Sequence, residues 1–356
     1  MSVDSATTET YRLPGLEAVG VPERPEVSVG HWIERGPSKR LMVFSGRSHP
    51  DLASAIAEKL GVELGEIELK TFPNGETYCR YCESIRGADV FLVQTGCMPV
   101  DRNLMELCLM IQGAKLASAK RITAVIPWFP YSRQDRKAKP REPISGRYVA
   151  DMLQLAGADR VLTMDLHAGQ IQGFFTIAVD HMTALPLFGR HFRDLGLQGE
   201  GVVSVAPDAG RAKHAVRFGE MIGAGFAVMH KARLSPETVE MTEVTGRVRD
   251  KIAIIGDDVS TTGGTIIAGA DALREHGATE VWAFLTHALF SAEGLKAVGE
   301  SALAGVVVTD TVPIDPTHRP EKMTVLPISG LLAETIMNVF SDDSVSAIFG
   351  GDTQLF

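Results

Sequence analysis

A chain of 356 residues, 45% of them apolar, is longer than one ordinary core needs, so two domains are expected. A net charge of −9 and a pI near 5.6 exclude a chain drawn as a whole to nucleic acid or to an anionic membrane; anion binding has to come from local basic clusters. No apolar run approaches about 18 residues, and no basic segment leads into an apolar one at the N-terminus, so a soluble, unexported, cytoplasmic protein is expected.

Residues 1–38 carry Ser, Thr, Glu and four prolines without a sustained period, and read as a flexible arm. From Arg40 the pattern becomes an alternation of strands and helices. Strands are expected over 41–44, 67–72, 90–94, 122–127 and 161–164, with a turn at Pro73-Asn74-Gly75 leading into another strand through Cys82. Helices are expected over 52–60, 103–118 and 147–156. Further strands follow over 202–205, 225–229 and 252–255, with helical patterns between. This repetition implies an α/β fold of two related parallel-sheet, Rossmann-like domains, 39–180 and 181–356. Cys79-Arg80-Tyr81-Cys82 is formally a CxxC, but period-2 geometry puts residues i and i+3 on opposite faces of a strand, so both thiols read as structural.

Apolar strands repeatedly end in polar chemistry: Ser45-Gly46-Arg47, Tyr131-Ser132-Arg133, Asp165-Leu166-His167, Pro207-Asp208 and Asp257-Asp258. In a doubly wound sheet such ends converge on one crevice. The most informative is the last. An Ile-rich run stops at Asp257-Asp258, then Ser260, Thr261, Thr262, Gly263, Gly264 and Thr265 lead into a helical pattern. Glycines allow close backbone approach, and free N–H groups at a helix start, joined by hydroxyls, suit a phosphate. The paired acids suit sugar hydroxyls or a bridging Mg²⁺. Because no Lys follows in the GxxxxGK[ST] arrangement, this is not a Walker-A loop. The stretch reads as a 5-phosphosugar site.

A second anomaly is Trp128 to Arg141, where five basic residues and one acid fall within eleven positions after Trp, Phe and Tyr. An aromatic and Arg/Gln wall beside positive charge fits a purine base and a polyphosphate. Nucleic acid would be held only weakly by five charges without a broader basic face.

These stretches together carry a family resemblance. The Asp257 loop is similar to the sugar-phosphate motif of phosphoribosyltransferases and ribose-phosphate pyrophosphokinases. Tyr131-Ser-Arg-Gln-Asp-Arg-Lys137, Arg141-Glu-Pro-Ile-Ser and Thr163 to Phe175 resemble the ATP-side signature of the pyrophosphokinases (PRPP synthetases), and the likeness runs from about Arg40 to Phe349. The resemblance implies a Mg²⁺-dependent diphosphokinase that joins ATP and ribose 5-phosphate into PRPP for nucleotide, histidine and tryptophan biosynthesis. It implies ATP contacts from Arg133 and Gln134, and from Phe72, Asn74 and Glu76 of a neighbouring subunit. It further implies Mg²⁺ ligands His167 and Asp208, a ribose 5-phosphate site at Asp257, Asp258, Thr261, Thr262, Gly263, Gly264 and Thr265, and catalytic cations Lys231 and Arg233. Residues 234–246 would be a lid. A homo-oligomer is implied, a hexamer or a smaller even assembly, with no nucleic acid or membrane partner.

The chain departs from the common bacterial pattern at Thr261, where a third Asp is usual, in Ala209 to His214, where a Gly-rich continuation is usual, and at Pro327 and Gly330, in the stretch linked to phosphate activation and ADP inhibition. Two rivals are a PRPP-using phosphoribosyltransferase, supported only by the Asp257 loop, and a non-catalytic regulatory homologue, which would be expected to lose the cations or metal ligands retained here.

Overall fold

The computed structural model describes residues 39–232 and 241–349, so the expected N-terminal arm, Arg233 and most of the expected lid lie outside the described residues. The first half contains β1 (Leu41–Ser45), α1 (Pro50–Leu60), β2 (Ile67–Thr71), β3 (Thr77–Tyr81), β4 (Asp89–Val93), α2 (Val100–Leu116), β5 (Arg121–Ile126), α3 (Ser145–Ala156), β6 (Arg160–Met164), β7 (Ala178–Met182) and α4 (Leu185–Asp194). There follow β8 (Val202–Ala206), α5 (Ala212–Met221), β9 (Gly225–Ala232), β10 (Met241–Thr245), β11 (Ile252–Ser260) and α6 (Gly264–Glu275). The chain continues through β12 (Glu280–Ala288), α7 (Ala292–Glu300), β13 (Gly305–Thr309), β14 (Met323–Leu326) and α8 (Ser329–Ser341).

The strands form two sheets and a separate β2–β3 hairpin. The first sheet has the order β1-β4-β5-β6-β7 and is parallel throughout. The second runs β10-β9-β8-β11-β12-β13-β14 and is parallel except for the edge pair β10–β9. Every residue of β4, β8 and β13 is buried, as expected of parallel strands covered by helices on both faces. Helix α1 shows the local logic: Pro50 opens it, the Leu52 N–H donates to His49 Nδ1 at 3.4 Å, and Gly61 closes it at φ 69.

A continuous apolar cluster joins residues of both sheets, running from Val43, Leu52 and Phe91 through Phe188 and Phe218 to Phe284 and Ile336. At its centre the Phe218 and Phe284 rings lie 4.5 Å apart and the Phe188 and Phe284 rings 4.7 Å apart. The two parallel sheets agree with the sequence expectation. The strand list from sequence stops at residue 255, however, and the structure adds β7, β10 and β12–β14. Strand β12 reads Glu-Val-Trp-Ala-Phe-Leu-Thr-His-Ala, an unalternating run that periodicity cannot separate from a buried helix. Part of the expected lid, Met241–Thr245, is an edge strand antiparallel to β9. All four cysteines are free thiols.

Central strand β11 tolerates no side chain at Gly256, which lies opposite Phe284 of β12: a Cβ there would stand 2.3 Å from the ring. Gly256→Ala is expected to cost about 1–3 kcal/mol in urea unfolding, and Phe284→Leu in the same chain to recover part of it. An unchanged midpoint for Gly256→Ala would mean that this contact is looser than described.

Candidate active site

Strand β6 ends at Met164, and the next residue departs from ordinary backbone geometry. Asp165 has φ 32, in the left-handed region that a non-glycine residue rarely adopts. Its carboxylate secures that turn: Oδ2 accepts from the Ala184 N–H at 2.9 Å and from the Thr286 hydroxyl at 2.6 Å. Beneath it the fully buried His287 packs its ring 4.6 Å from Trp128 and points Nε2 at the Met164 and Asp165 carbonyls, each 3.2 Å away. His181 accepts the Leu166 N–H at 2.8 Å. The β6 end is thereby fastened to β12 of the other sheet, and His167 follows two residues later.

The other wall comes from β11. Asp258 is 3% exposed, and its N–H donates to Asp257 Oδ1 at 2.9 Å. His167 Nδ1–H donates to Asp258 Oδ2 at 2.7 Å, joining a motif at residue 167 to one at residue 258. Donation from Nδ1 leaves the Nε2 lone pair for another partner. Strand β8 ends beside them at Pro207-Asp208. Asp208 Oδ1 accepts the Arg211 N–H at 3.2 Å, capping a single 3₁₀ turn over Ala209–Arg211. The Arg211 side chain then reaches both acids, with Nε 3.4 Å from Asp257 Oδ1 and Nη2 paired with Asp258.

The two carboxyls are driven apart. Burial, and then the Asp258 charge, push Asp257 up to about 7. Burial opposes the Asp258 charge too, but the His167 hydrogen bond and the Arg211 guanidinium outweigh it and hold that carboxyl well below the usual range. The two acids titrate as a pair: Arg211 lowers both, and they split because burial and the Asp258 charge raise Asp257 while the His167 hydrogen bond favours the Asp258 carboxylate.

A cavity of about 890 Å³ opens here, lined among others by Asp165, His167, His181 and Asp258. Four cations, Arg136, Arg211, Lys213 and Arg217, share its wall with three carboxylates. Arg211 Nη2, His214 Nδ1 and Arg217 Nη1 are buried there without a hydrogen-bond partner, Arg211 Nη2 meeting Asp258 as an ion pair alone. A smaller cavity of about 290 Å³ lies against the start of α6, lined by Thr262, Gly264 and Thr265 together with Pro207 and His230. Gly263 stands at φ 77 at the head of α6, where an added Cβ would meet Val298 at 2.8 Å.

The structure thus gathers His167, Asp208, Asp257, Asp258, Thr262, Gly264 and Thr265. Thr261 lies in the same loop and its carbonyl accepts the Ser291 N–H at 3.2 Å. Lys231 lies on β9, in register with Thr242 of β10. Arg133 and Gln134 line neither cavity; Gln134 Oε1 accepts from Ser145 at 2.6 Å, and their neighbours Asp135 and Arg136 form the wall instead. Phe72, Asn74 and Glu76 sit at the β2–β3 tip, also outside both cavities: Phe72 is 40% exposed, 5.6 Å from the Tyr78 ring, and Asn74 Oδ1 accepts the Glu76 N–H at 3.2 Å. Arg47 does not join the crevice, because buried Glu106 takes its Nε–H at 2.5 Å. Sequence reasoning had Arg136 within the basic cluster but missed Arg211, Lys213 and Arg217; for Arg211 and Lys213 the departure from a Gly-rich run at Ala209 to His214 was the available signal.

Among the described residues, no group of three His, Cys, Asp or Glu is placed to hold a metal alone. Mg²⁺ does not require such a cage, since it keeps waters and shares substrate phosphates with one or two protein ligands. A tautomer-fixed His167 and the half-engaged Asp208 fit that demand.

Comparison with known proteins gives consistent matches. The profile of the N-terminal domain of ribose phosphate pyrophosphokinase matches residues 41–157, and that of the phosphoribosyl synthetase-associated domain matches residues 231–350. The chain is 44% identical over 309 residues to a ribose-phosphate pyrophosphokinase of Fusobacterium nucleatum subsp. nucleatum, covering 87% of this chain and 98% of the relative. It is 45% identical, with the same coverage, to one of Caldanaerobacter subterraneus subsp. tengcongensis. The crystal structure of phosphoribosylpyrophosphate synthetase from Mycobacterium smegmatis superposes with a TM-score of 0.80 at 43% identity, over 85% of this chain and 100% of that one.

The imidazoles under the site set an acid limit on stability. Burial pushes His181 down to about 4, and likewise lowers His287 and His214. A folded value below the unfolded one of about 6.5 means stability is full above that pH and is lost as pH falls through about 4, by about 3 kcal/mol for His181. Urea midpoints measured from pH 7 to 4 are expected to fall steeply, with a shallower slope in His181→Asn. A flat profile would mean that these rings are not held neutral.

Proposed function

The chain belongs to the ribose-phosphate pyrophosphokinase family, and from that premise we propose how the two cavities described at this site divide the substrates. The overall reaction passes the β,γ-diphosphoryl group of ATP to O1 of ribose 5-phosphate, making PRPP and AMP. The O1 oxygen attacks the β-phosphorus, the bond from that phosphorus to the α,β-bridging oxygen breaks, AMP departs with the bond's electrons, and the O1 proton is lost. Such transfers depend on in-line positioning and neutralisation of charge rather than on covalent chemistry by the protein.

In this reading Asp257 and Asp258 accept hydrogen bonds from the ribose hydroxyls. The 5-phosphate rests on Thr261, Thr262, Gly263, Gly264 and Thr265, where N–H groups at the head of α6 meet an anion. What supports this is the small cavity that Thr262, Gly264 and Thr265 share. The polyphosphate lies along the cationic wall of the larger cavity, with Arg133 and Gln134 toward the nucleotide. Phe72, Asn74 and Glu76 serve the adenine of a neighbouring subunit, a reading supported by the position of the hairpin outside both cavities of its own chain. That arrangement calls for a homo-oligomer, which we take to be a hexamer or a smaller even assembly. Mg²⁺, held by His167 and Asp208, would neutralise phosphate oxygens. Lys231 and Arg233 meet the charge that develops between the β-phosphorus and the departing AMP.

The observation that carries this reading is the 2.7 Å hydrogen bond from His167 to Asp258, because it makes the ATP-side motif and the sugar motif walls of one site. No observation favours the phosphoribosyltransferase reading, which leaves the cationic wall unused. We also take 39–180 and 181–356 as two domains, since the first sheet is built entirely from residues before 183 and the second from residues after 201. A cytoplasmic enzyme supplying nucleotide biosynthesis fits the chain, in which no described helix is long and apolar enough to cross a membrane.

Incubated with ATP, ribose 5-phosphate and Mg²⁺, the protein is expected to form AMP and PRPP in equal amounts, and Asp257→Ala to form neither. ADP in place of AMP would overturn the diphosphoryl assignment. Lys231→Ala and Arg233→Ala are expected to lower kcat by about 100-fold or more with KM within about threefold. A change confined to KM would remove both residues from the transition state.

A further inference from the structure

We propose that Arg211 is a positioning residue for the sugar side of the site: a built-in counter-ion that holds Asp257 and Asp258 side by side for the ribose hydroxyls without help from a divalent cation. The assignment rests on the reading of the β11 end as the ribose 5-phosphate site.

Two acids on consecutive residues, one of them 3% exposed, repel each other whenever both are ionised, unless a cation lies between them. Among the described residues, His167 reaches Asp258 and not Asp257, while Asp257 meets Asp258 through the neighbouring N–H and side chain. Arg211 is the side chain that reaches both, with Nε on Asp257 at 3.4 Å and Nη2 on Asp258. Its side chain is 18% exposed, so the pairing is sheltered from water and salt. Its backbone is also fixed, because Asp208 accepts the Arg211 N–H and closes the turn that aims the side chain. A planar guanidinium can serve two acids at once, whereas an ammonium is a point charge on a flexible stem. A site so compensated has its sugar-binding acids aligned before any metal arrives, which leaves divalent cations to act on the phosphate side.

The test measures ribose 5-phosphate binding by isothermal titration, in EDTA and again in Mg²⁺, for the unaltered chain, Arg211→Met and Arg211→Lys. The unaltered chain is expected to bind with nearly the same Kd in both media. Arg211→Met is expected to bind at least about tenfold more weakly in EDTA, and Mg²⁺ to shrink the deficit below about threefold by replacing the lost charge. Arg211→Lys should fall between, and it carries the test alone if thermal melting shows Arg211→Met unfolded. Arg211→Met binding normally in EDTA, or a deficit equal in both media as a merely structural role would give, overturns the assignment. Absence of binding by the unaltered chain in both media overturns the ribose 5-phosphate reading and this assignment with it.

Discussion

Two neighbouring carboxylates at the end of a buried strand cannot stand without partners, and much of the site's construction answers that demand. Asp257 and Asp258 lie where β11 has run past its pairing with β8 while still paired with β12. The partners have to come from other elements: His167 from the first sheet, Arg211 from the turn after β8. Each of these is held in turn, His167 by the anchored bend at Asp165 and Arg211 by the Asp208 cap. The chemistry of the site therefore reaches outward through layers of hydrogen bonds before it meets plain packing.

The parallel architecture makes this possible. In both sheets the strands, edge strand β10 apart, point the same way, so the carboxyl ends of β6, β8 and β11 are where ligand-binding loops collect. The junction between the sheets is polar at that end and has an apolar interior. His287, Thr286 and Asp165 tie β12 to β6 there, while the Phe188, Phe218 and Phe284 cluster fills the interior. Neutral imidazoles suit such a junction, because a charged ring would have to be buried with too few acceptors. The same burial that shapes the cavity makes the fold sensitive to acid.

Charge follows a similar division. The chain is acidic overall, yet the larger cavity gathers four cations against three carboxylates. Net charge is thus a poor guide to what a cavity attracts, since fields in a recess are set by the side chains within a few ångströms. Two of those cations, Lys213 and Arg217, lie on α5, directly after the turn that carries Arg211.

Much of this was legible in the residues alone. The alternation of apolar runs with amphipathic stretches specified an α/β fold with parallel sheets, and the placement of Asp257-Asp258, His167 and Asp208 at strand ends made them candidates, because both are local properties of the chain; the roles of His167 and Asp208 came from the family resemblance. Strands β12 and β13 were not read, since their apolar runs carry no alternation to separate a buried strand from a buried helix, and β14 spans only four residues. Arg47 and Arg211 make the contrast plain. Both are single arginines after a strand, yet one is absorbed by buried Glu106 and the other bridges the acids of the site. Sequence alone determined which residues could carry the chemistry. Tertiary structure decided which of them meet, because the partner of a buried charge is chosen by the packing of segments far apart in the chain, as His167 and Asp258 are.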